Sequence, residues 1–197
     1  DVLGSRGLGD VYKRQAIVNL KSSEKVANFL ESNHLHKKDF AEMIGVTLSY
    51  VYNLIDSAIP FSTRGITLER IATVMDVEPE EFVEYKIPQE PILMDESIEF
   101  LKEKQKEKGI STVQLLKSFP RKKRVEIVDI LRGARPIPLD WKELSLIAQV
   151  LDINKEEIYP YWEERTRQLF QNAGMNLQAN QGLVDAMFDC ARNYVDK

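Results

Sequence analysis

The chain has 197 residues, 43% hydrophobic and 29% charged, with a formal net charge of -4. That is enough apolar side chain for a packed core, which excludes a disordered tail, and the acidic balance excludes a uniformly basic nucleic-acid coat. No run approaches the roughly 18 apolar residues that cross a bilayer, and a single cysteine, Cys190, excludes a disulfide framework and a multi-cysteine zinc site.

Residues 1–15 read DVLGSRGLGDVYKRQ, with glycines at Gly4, Gly7 and Gly9 and no apolar period. From residue 5 onward the stretch resembles the translated end of a sequencing-library adapter. It is therefore expected to be non-native and is set apart from the fold. The glycine spacing is wrong for a phosphate-binding loop, and no strand precedes it.

From residue 16 the apolar spacing is helical. Val26, Phe29 and Leu30 share one face; Phe40, Ala41 and Ile44 mark a second short helix; Val51, Leu54 and Ile55 mark a third. Leu68, Ile71, Ala72 and Met75 mark a fourth. Glu78-Pro79-Glu80-Glu81 is expected to open a fifth, with Pro79 at the first helical position, where no donor is lost. The segment KIPQEP, residues 86–91, has two prolines and no apolar period and reads as a linker.

The pattern is then written again. Leu68-x-x-Ile71-Ala72-x-x-Met75-Asp76-Val77-x-x-Glu80-Glu81-Phe82-x-x-Tyr85 recurs 76 residues later as Leu144-x-x-Ile147-Ala148-x-x-Leu151-Asp152-Ile153-x-x-Glu156-Glu157-Ile158-x-x-Tyr161. In the second copy Asn154 can cap the last helix, with Glu157 three residues on. The expected fold is all-α: two tandem five-helix bundles over 16–88 and 89–162, and a helical extension over 163–197. After Tyr161 the residues Trp162, Thr166, Leu169 and Phe170 continue one face, Gly174 is a stop, and Leu183, Val184, Met187, Phe188, Ala191 and Val195 form an amphipathic helix. This tail can pack on its own domain or form a homodimer with a second subunit. Cys190 is expected to lie in its core.

Residues 35–57, LHKKDFAEMIGVTLSYVYNLIDS, carry the functional reading. Gly45 can take the positive φ of a tight interhelical turn, and Thr47 can cap the following helix. That helix buries Val51, Leu54 and Ile55 and shows Leu48, Ser49, Tyr52 and Asn53. This is the layout of a helix-turn-helix. Leu35, Ala41, Gly45, Val46, Thr47, Tyr50 and Val51, followed by Leu68, Ile71, Ala72, Val77, Pro79, Glu81 and Phe82, resemble the lambda-repressor-like (Cro/xenobiotic-response-element) helix-turn-helix family. The resemblance covers residues 18–85 well and 96–161 weakly. It implies that Lys37 contacts a phosphate and that Leu48, Ser49, Tyr52 and Asn53, entered from Thr47, read base edges in double-stranded DNA. The helix departs from the family in having no cation, and Ser57 stands where the family has a glycine.

In the second copy the turn reads Phe119-Pro120-Arg121-Lys122-Lys123-Arg124, with Pro120 in place of the glycine. Four consecutive cations there are expected to hold DNA phosphates. If each contacts one phosphate, neutralising all four lowers the salt slope of DNA affinity by about 3–4 units. Lys102, Lys104, Lys106 and Lys108 alternate with acids and are expected on a solvated face. Asp39 and Glu42 are expected to be solvated as well. His34 and His36 are expected in loop or cap roles, with no third ligand for a metal. Tyr159-Pro160-Tyr161-Trp162 is expected to plug the second bundle. The resulting expectation is a cytoplasmic, prokaryotic transcription regulator with no cofactor, no metal and no catalytic residue. The alternative is a protein-interaction module whose bundles no longer bind DNA.

Overall fold

The computed structural model describes residues 21–63, 65–86 and 95–195. Among these the chain forms ten α-helices, one 3-10 turn and no strand, so the all-α class is as expected. The helices are α1 (Ser22–Ser32), α2 (Lys37–Ile44), α3 (Leu48–Ile55), α4 (Gly65–Val74), α5 (Glu96–Glu107), α6 (Thr112–Lys117), α7 (Arg121–Leu131), α8 (Trp141–Val150), α9 (Lys155–Asn172) and α10 (Gln181–Val195). The adapter-like residues 1–15 and linker residues 87–91 lie outside the described residues. No helix of the described residues is long and apolar enough to cross a membrane.

The internal repeat is conformational as well as compositional. Helices α1 and α5 both end on a left-handed residue, His34 (φ 46°) and Gly109 (φ 62°). Helices α4 and α8 likewise end at Asp76 (φ 54°) and Asp152 (φ 52°). The N–H of Val77 then donates to the Ala72 carbonyl at 3.1 Å, and that of Ile153 to Ala148 at 2.8 Å. The left-handed turn brings this apolar residue back to its own helix, and aspartate is one of the few residues besides glycine, with a short polar side chain, that enter that conformation.

The copies diverge at their last helix. Pro79–Glu81 makes only a 3-10 turn, whereas α9 runs for 18 residues. Glu78 supplies no side-chain cap. In the second copy Glu157 Oε2 accepts the Asn154 N–H at 3.2 Å and closes the first turn. Helix α9 also tolerates Pro160 in its interior, where the chain forgoes one backbone donor.

The helices group into two compact units, and the grouping crosses the linear order. The first unit contains α1 to α4, the 3-10 turn, and α6 and α7. The second contains α5 and α8 to α10. The structure thus departs from the linear division into 16–88, 89–162 and 163–197: the second copy's helix-turn-helix, α6 and α7, is part of the first unit. Helix α7 packs on α2 and α4, and α6 packs on α4. The physical reason is burial. Ile127, Val128, Ile130 and Leu131 of α7 are all buried, as are Leu115 and Leu116 of α6. At about 1.5–3 kcal/mol for each large aliphatic side chain, this is ample to hold the pair in place. Asp76 adds a polar anchor, its carboxylate accepting from the Thr112 N–H (3.0 Å) and Oγ1–H (2.5 Å) at the start of α6.

In the second unit α9 packs on α5 and α8. The expected aromatic plug is present: Tyr159 and Trp162 lie 5.3 Å apart, Trp141 is 5.8 and 5.6 Å from them, and Phe188 is 6.0 Å from Trp162. Lys104 and Lys108 are not simply solvated, because they pair with Glu157 (2.8 Å) and Asp152 (2.6 Å). Helix α10 packs in cis, burying Val184 and Phe188. The Tyr159 hydroxyl donates to the Phe188 carbonyl at 2.9 Å, and Arg192 pairs with Glu163 at 2.8 Å. Cys190 is exposed, contrary to the core position expected. It follows Phe188 by two residues, about 200° around the helix, and so faces away from the buried stripe.

The two left-handed aspartates should respond oppositely to glycine. Asp152→Gly relieves its backbone and loses only a surface ion pair, so it should raise the urea midpoint. Asp76→Gly gains the same relief but strips the α6 cap; a net loss of about 1 kcal/mol is expected. Urea denaturation of both variants checks the difference, and equal shifts would contradict it.

Candidate nucleic-acid interface

The first helix-turn-helix is built from α2, the turn 45–47 and α3. Helix α2 buries Phe40, Ala41, Met43 and Ile44. Gly45 then takes φ 74°, ψ 38°, and the Val46 N–H donates to Ala41 at 2.9 Å. Glycine is favoured here on two grounds. The backbone is left-handed, and a Cβ would come within 3.0 Å of the Arg70 guanidinium and 3.1 Å of a Val125 methyl. Thr47 caps α3, its Oγ1 accepting the Tyr50 N–H at 3.2 Å.

Helix α3 buries Val51 and Leu54 and turns its opposite face outward. Leu48 and Tyr52 are 40% and 53% exposed, and Ser49 and Asn53 are exposed too. The four expected base-reading residues therefore share one accessible face. Lys37 opens α2 beside it, with Nζ 5.1 Å from the centre of the Tyr52 ring, and Lys38 is exposed. Lys37 is thus a charge held over an aromatic face at the edge of α3.

The second copy's cations are placed differently. Arg124 is buried, its Nε donating to the Phe119 carbonyl at 3.3 Å. Its Nη1 lies 3.6 Å from Asp39 and 3.7 Å from Glu42. Arg121 reaches the same two acids, at 3.9 and 3.3 Å. Lys123 pairs with Glu126 at 3.1 Å on its own helix. Lys122 is exposed. Asp39 and Glu42 are accordingly half-buried partners of α7 rather than solvated charges. The sequence held a signal for this: Asp39 and Glu42 are three residues apart on one helix, and Arg121 and Arg124 have the same spacing on another.

A second charge cluster lies at the other end of α7. Asp129 accepts from Arg70 Nε and Nη2, both at 2.8 Å, and from Arg132 Nε at 2.8 Å. Arg132 also meets Glu69 at 2.6 Å. Burial works to raise the Asp129 pKa, but the hydrogen bonds and charges of Arg70 and Arg132 outweigh it and hold the carboxyl below its ordinary range. Arg70 Nη1 also reaches the Ile44 carbonyl at 3.4 Å, so the cluster touches the end of α2.

His34 and His36 lie in the turn between α1 and α2: His34 closes α1 in its left-handed conformation, and His36 occupies the N-cap position of α2 without a side-chain cap bond. Among the described residues no group of three or more His, Cys, Asp or Glu could hold a metal.

Asp129→Asn should cost about 3 kcal/mol, because it leaves two arginines facing a neutral amide. The pH dependence follows from the depressed pKa. The stabilisation is fully present above the ordinary carboxylate value of 3.8 and is lost as pH falls through the lower folded value. Urea titrations of both proteins at pH 7 and pH 3 should show the difference between them shrinking in acid; a constant difference would contradict it.

The chain matches no known family model, no curated protein and no solved structure.

Proposed function

We propose that the chain is a sequence-specific regulator of transcription that binds double-stranded DNA by laying α3 in the major groove. The observation that carries this is the α3 face: Leu48, Ser49, Tyr52 and Asn53 stand outward on a helix capped by Thr47, with Lys37 and Lys38 at its edge. Asn53 can pair with adenine, Ser49 with either base type, and Leu48 can meet a thymine methyl. Lys37 and Lys38 suit the adjacent phosphates. The resemblance to the lambda-repressor-like family supports the same assignment, and a cytoplasmic location goes with it. In a homodimer, the exposed Leu183 and Met187 of α10 are the side chains that a second copy would cover.

The second copy has a narrower part in this reading than its four cations suggest. Arg124 serves the α2–α7 contact, Arg121 is shared with Asp39 and Glu42, and Lys122 faces solvent. A protein-interaction module is the second reading. It is favoured by the absence of any Lys or Arg in α3 and by the exposure of Leu48 and Tyr52.

Asn53→Ala and Ser49→Ala should each cost roughly 1–3 kcal/mol on the preferred site and almost nothing on random duplex. Selection of bound sites from a random duplex pool, followed by titration, measures both. Equal losses on the two DNAs would remove these residues from base reading, and no retained duplex would favour the protein-interaction reading.

Salt dependence separates the cations. Neutralising Lys37 and Lys38 together should lower the slope of log affinity on log salt by about 2 units. Neutralising all of Arg121, Lys122, Lys123 and Arg124 should lower it by only about 1–2 units, because three of the four are paired with acids within the protein. A drop of about 4 for the run would mean that α7 leaves α2 on DNA.

A further inference from the structure

A cleft of about 720 Å³ opens beside α3, within the first unit. Ala27 and Leu30 of α1, Leu35 of the α1–α2 turn and Ile55 of α3 line it, with Leu48 and Tyr52 along the α3 side. Leu30 and Leu35 are themselves 5% and 6% exposed, so the apolar lining continues into the core. Three cations also line it, Lys37, Lys38 and Arg121, together with His36 and two acids. Of the two acids there, Asp39 faces Arg121 and Arg124, which leaves Glu31 against the lysines.

Ala27, Leu30, Leu35 and Ile55 are not among the side chains assigned to DNA, and Leu30 and Leu35 are too deep for a duplex to cover. The lining is half apolar or aromatic and half ionisable, which suits a ligand that is itself part apolar and part charged. We propose that the cleft binds a small amphiphilic monoanion: an apolar body against α1 and α3, and a carboxylate or phosphate head at Lys37 and Lys38. Because Tyr52, Leu48 and Lys37 line both the cleft and the α3 face, an occupied cleft opposes DNA binding, and DNA opposes the ligand by the same factor. This last step rests on the DNA-binding reading; occupancy of the cleft does not.

Decanoate is the probe, with decanol as the body without the head and butyrate as the head without the body. Binding to the full chain is followed by amide chemical-shift titration. Decanoate should saturate, perturbing 27–38 and 48–55. It should bind at least fivefold more tightly than decanol, and butyrate should not saturate. Ala27→Phe fills the cleft and should weaken decanoate at least tenfold. Lys37→Gln with Lys38→Gln, two surface changes that leave the core intact, should erase the preference for decanoate over decanol. Absence of saturation, equal binding of decanoate and decanol, or indifference to the lysine pair would overturn the site. Competition with the selected duplex is measured separately: saturable decanoate without competition overturns only the regulatory step, and a duplex that is never retained leaves the cleft standing while removing the DNA reading.

Discussion

Asp129 is the charge on which the first unit is organised. It is held on one side by both donors of the Arg70 guanidinium edge and on the other by Arg132, which continues to Glu69. Such a cluster adds little net stability over an apolar contact of equal volume. The burial of Ile127, Val128, Ile130 and Leu131 provides the attraction. The ions decide where along α4 the helix comes to rest, because a shift of one turn would leave Arg70 and Glu69 without partners. Arg70 then passes that decision to the helix-turn-helix by flanking Gly45 and reaching the Ile44 carbonyl. The turn that aims α3 is therefore set partly by a helix from the other repeat.

Much of the local structure was legible in the sequence. The apolar spacing located α1 to α4 and α10; Gly45 and Thr47 marked the ends of α2 and α3, and Asn154 the start of α9; and the 76-residue recurrence paired Asp76 with Asp152, which take matching left-handed turns. These features depend on neighbours a few residues away. The grouping of helices was not legible, because Ile127 or Leu131 has the same apolar side chain whichever surface it covers. Periodicity states that a face is buried and is silent on the partner. The same limit explains Cys190, whose residue type suits a core but whose angle on α10 does not. It also explains the 3-10 turn at Pro79, where a favourable first residue met no cap.

The candidate site shows a division of labour by charge. Helix α3 has no cation, and its exposed groups are a leucine, a hydroxyl, a phenol and an amide. Such groups discriminate through shape and paired hydrogen bonds and add little long-range attraction. The nearby cations are all off α3: Lys37 and Lys38 on α2, and Arg121 and Lys122 on α7. Two of the acids that could repel a phosphate, Asp39 and Glu42, are matched by Arg121 and Arg124. Thus α7 shapes the electrostatics around this candidate site chiefly by pairing acids, a role that a count of cations does not convey.

The chain order of the first unit has a consequence for how it is made. A ribosome that has released residues up to 86 has delivered α1 to α4 without α7. Asp39, Glu42 and Glu69 then lack their arginines, and Arg70 lacks its aspartate. The surface later covered by Val128 and Leu131 is still open to water. Completion waits for the whole of α5, a helix of the other unit, to be synthesised first. The nascent protein therefore passes through a stage in which its helix-turn-helix is fully translated but only partly enclosed, and in that interval apolar contacts with other chains compete with the intended one. Fragments ending near residue 88 reproduce that stage permanently.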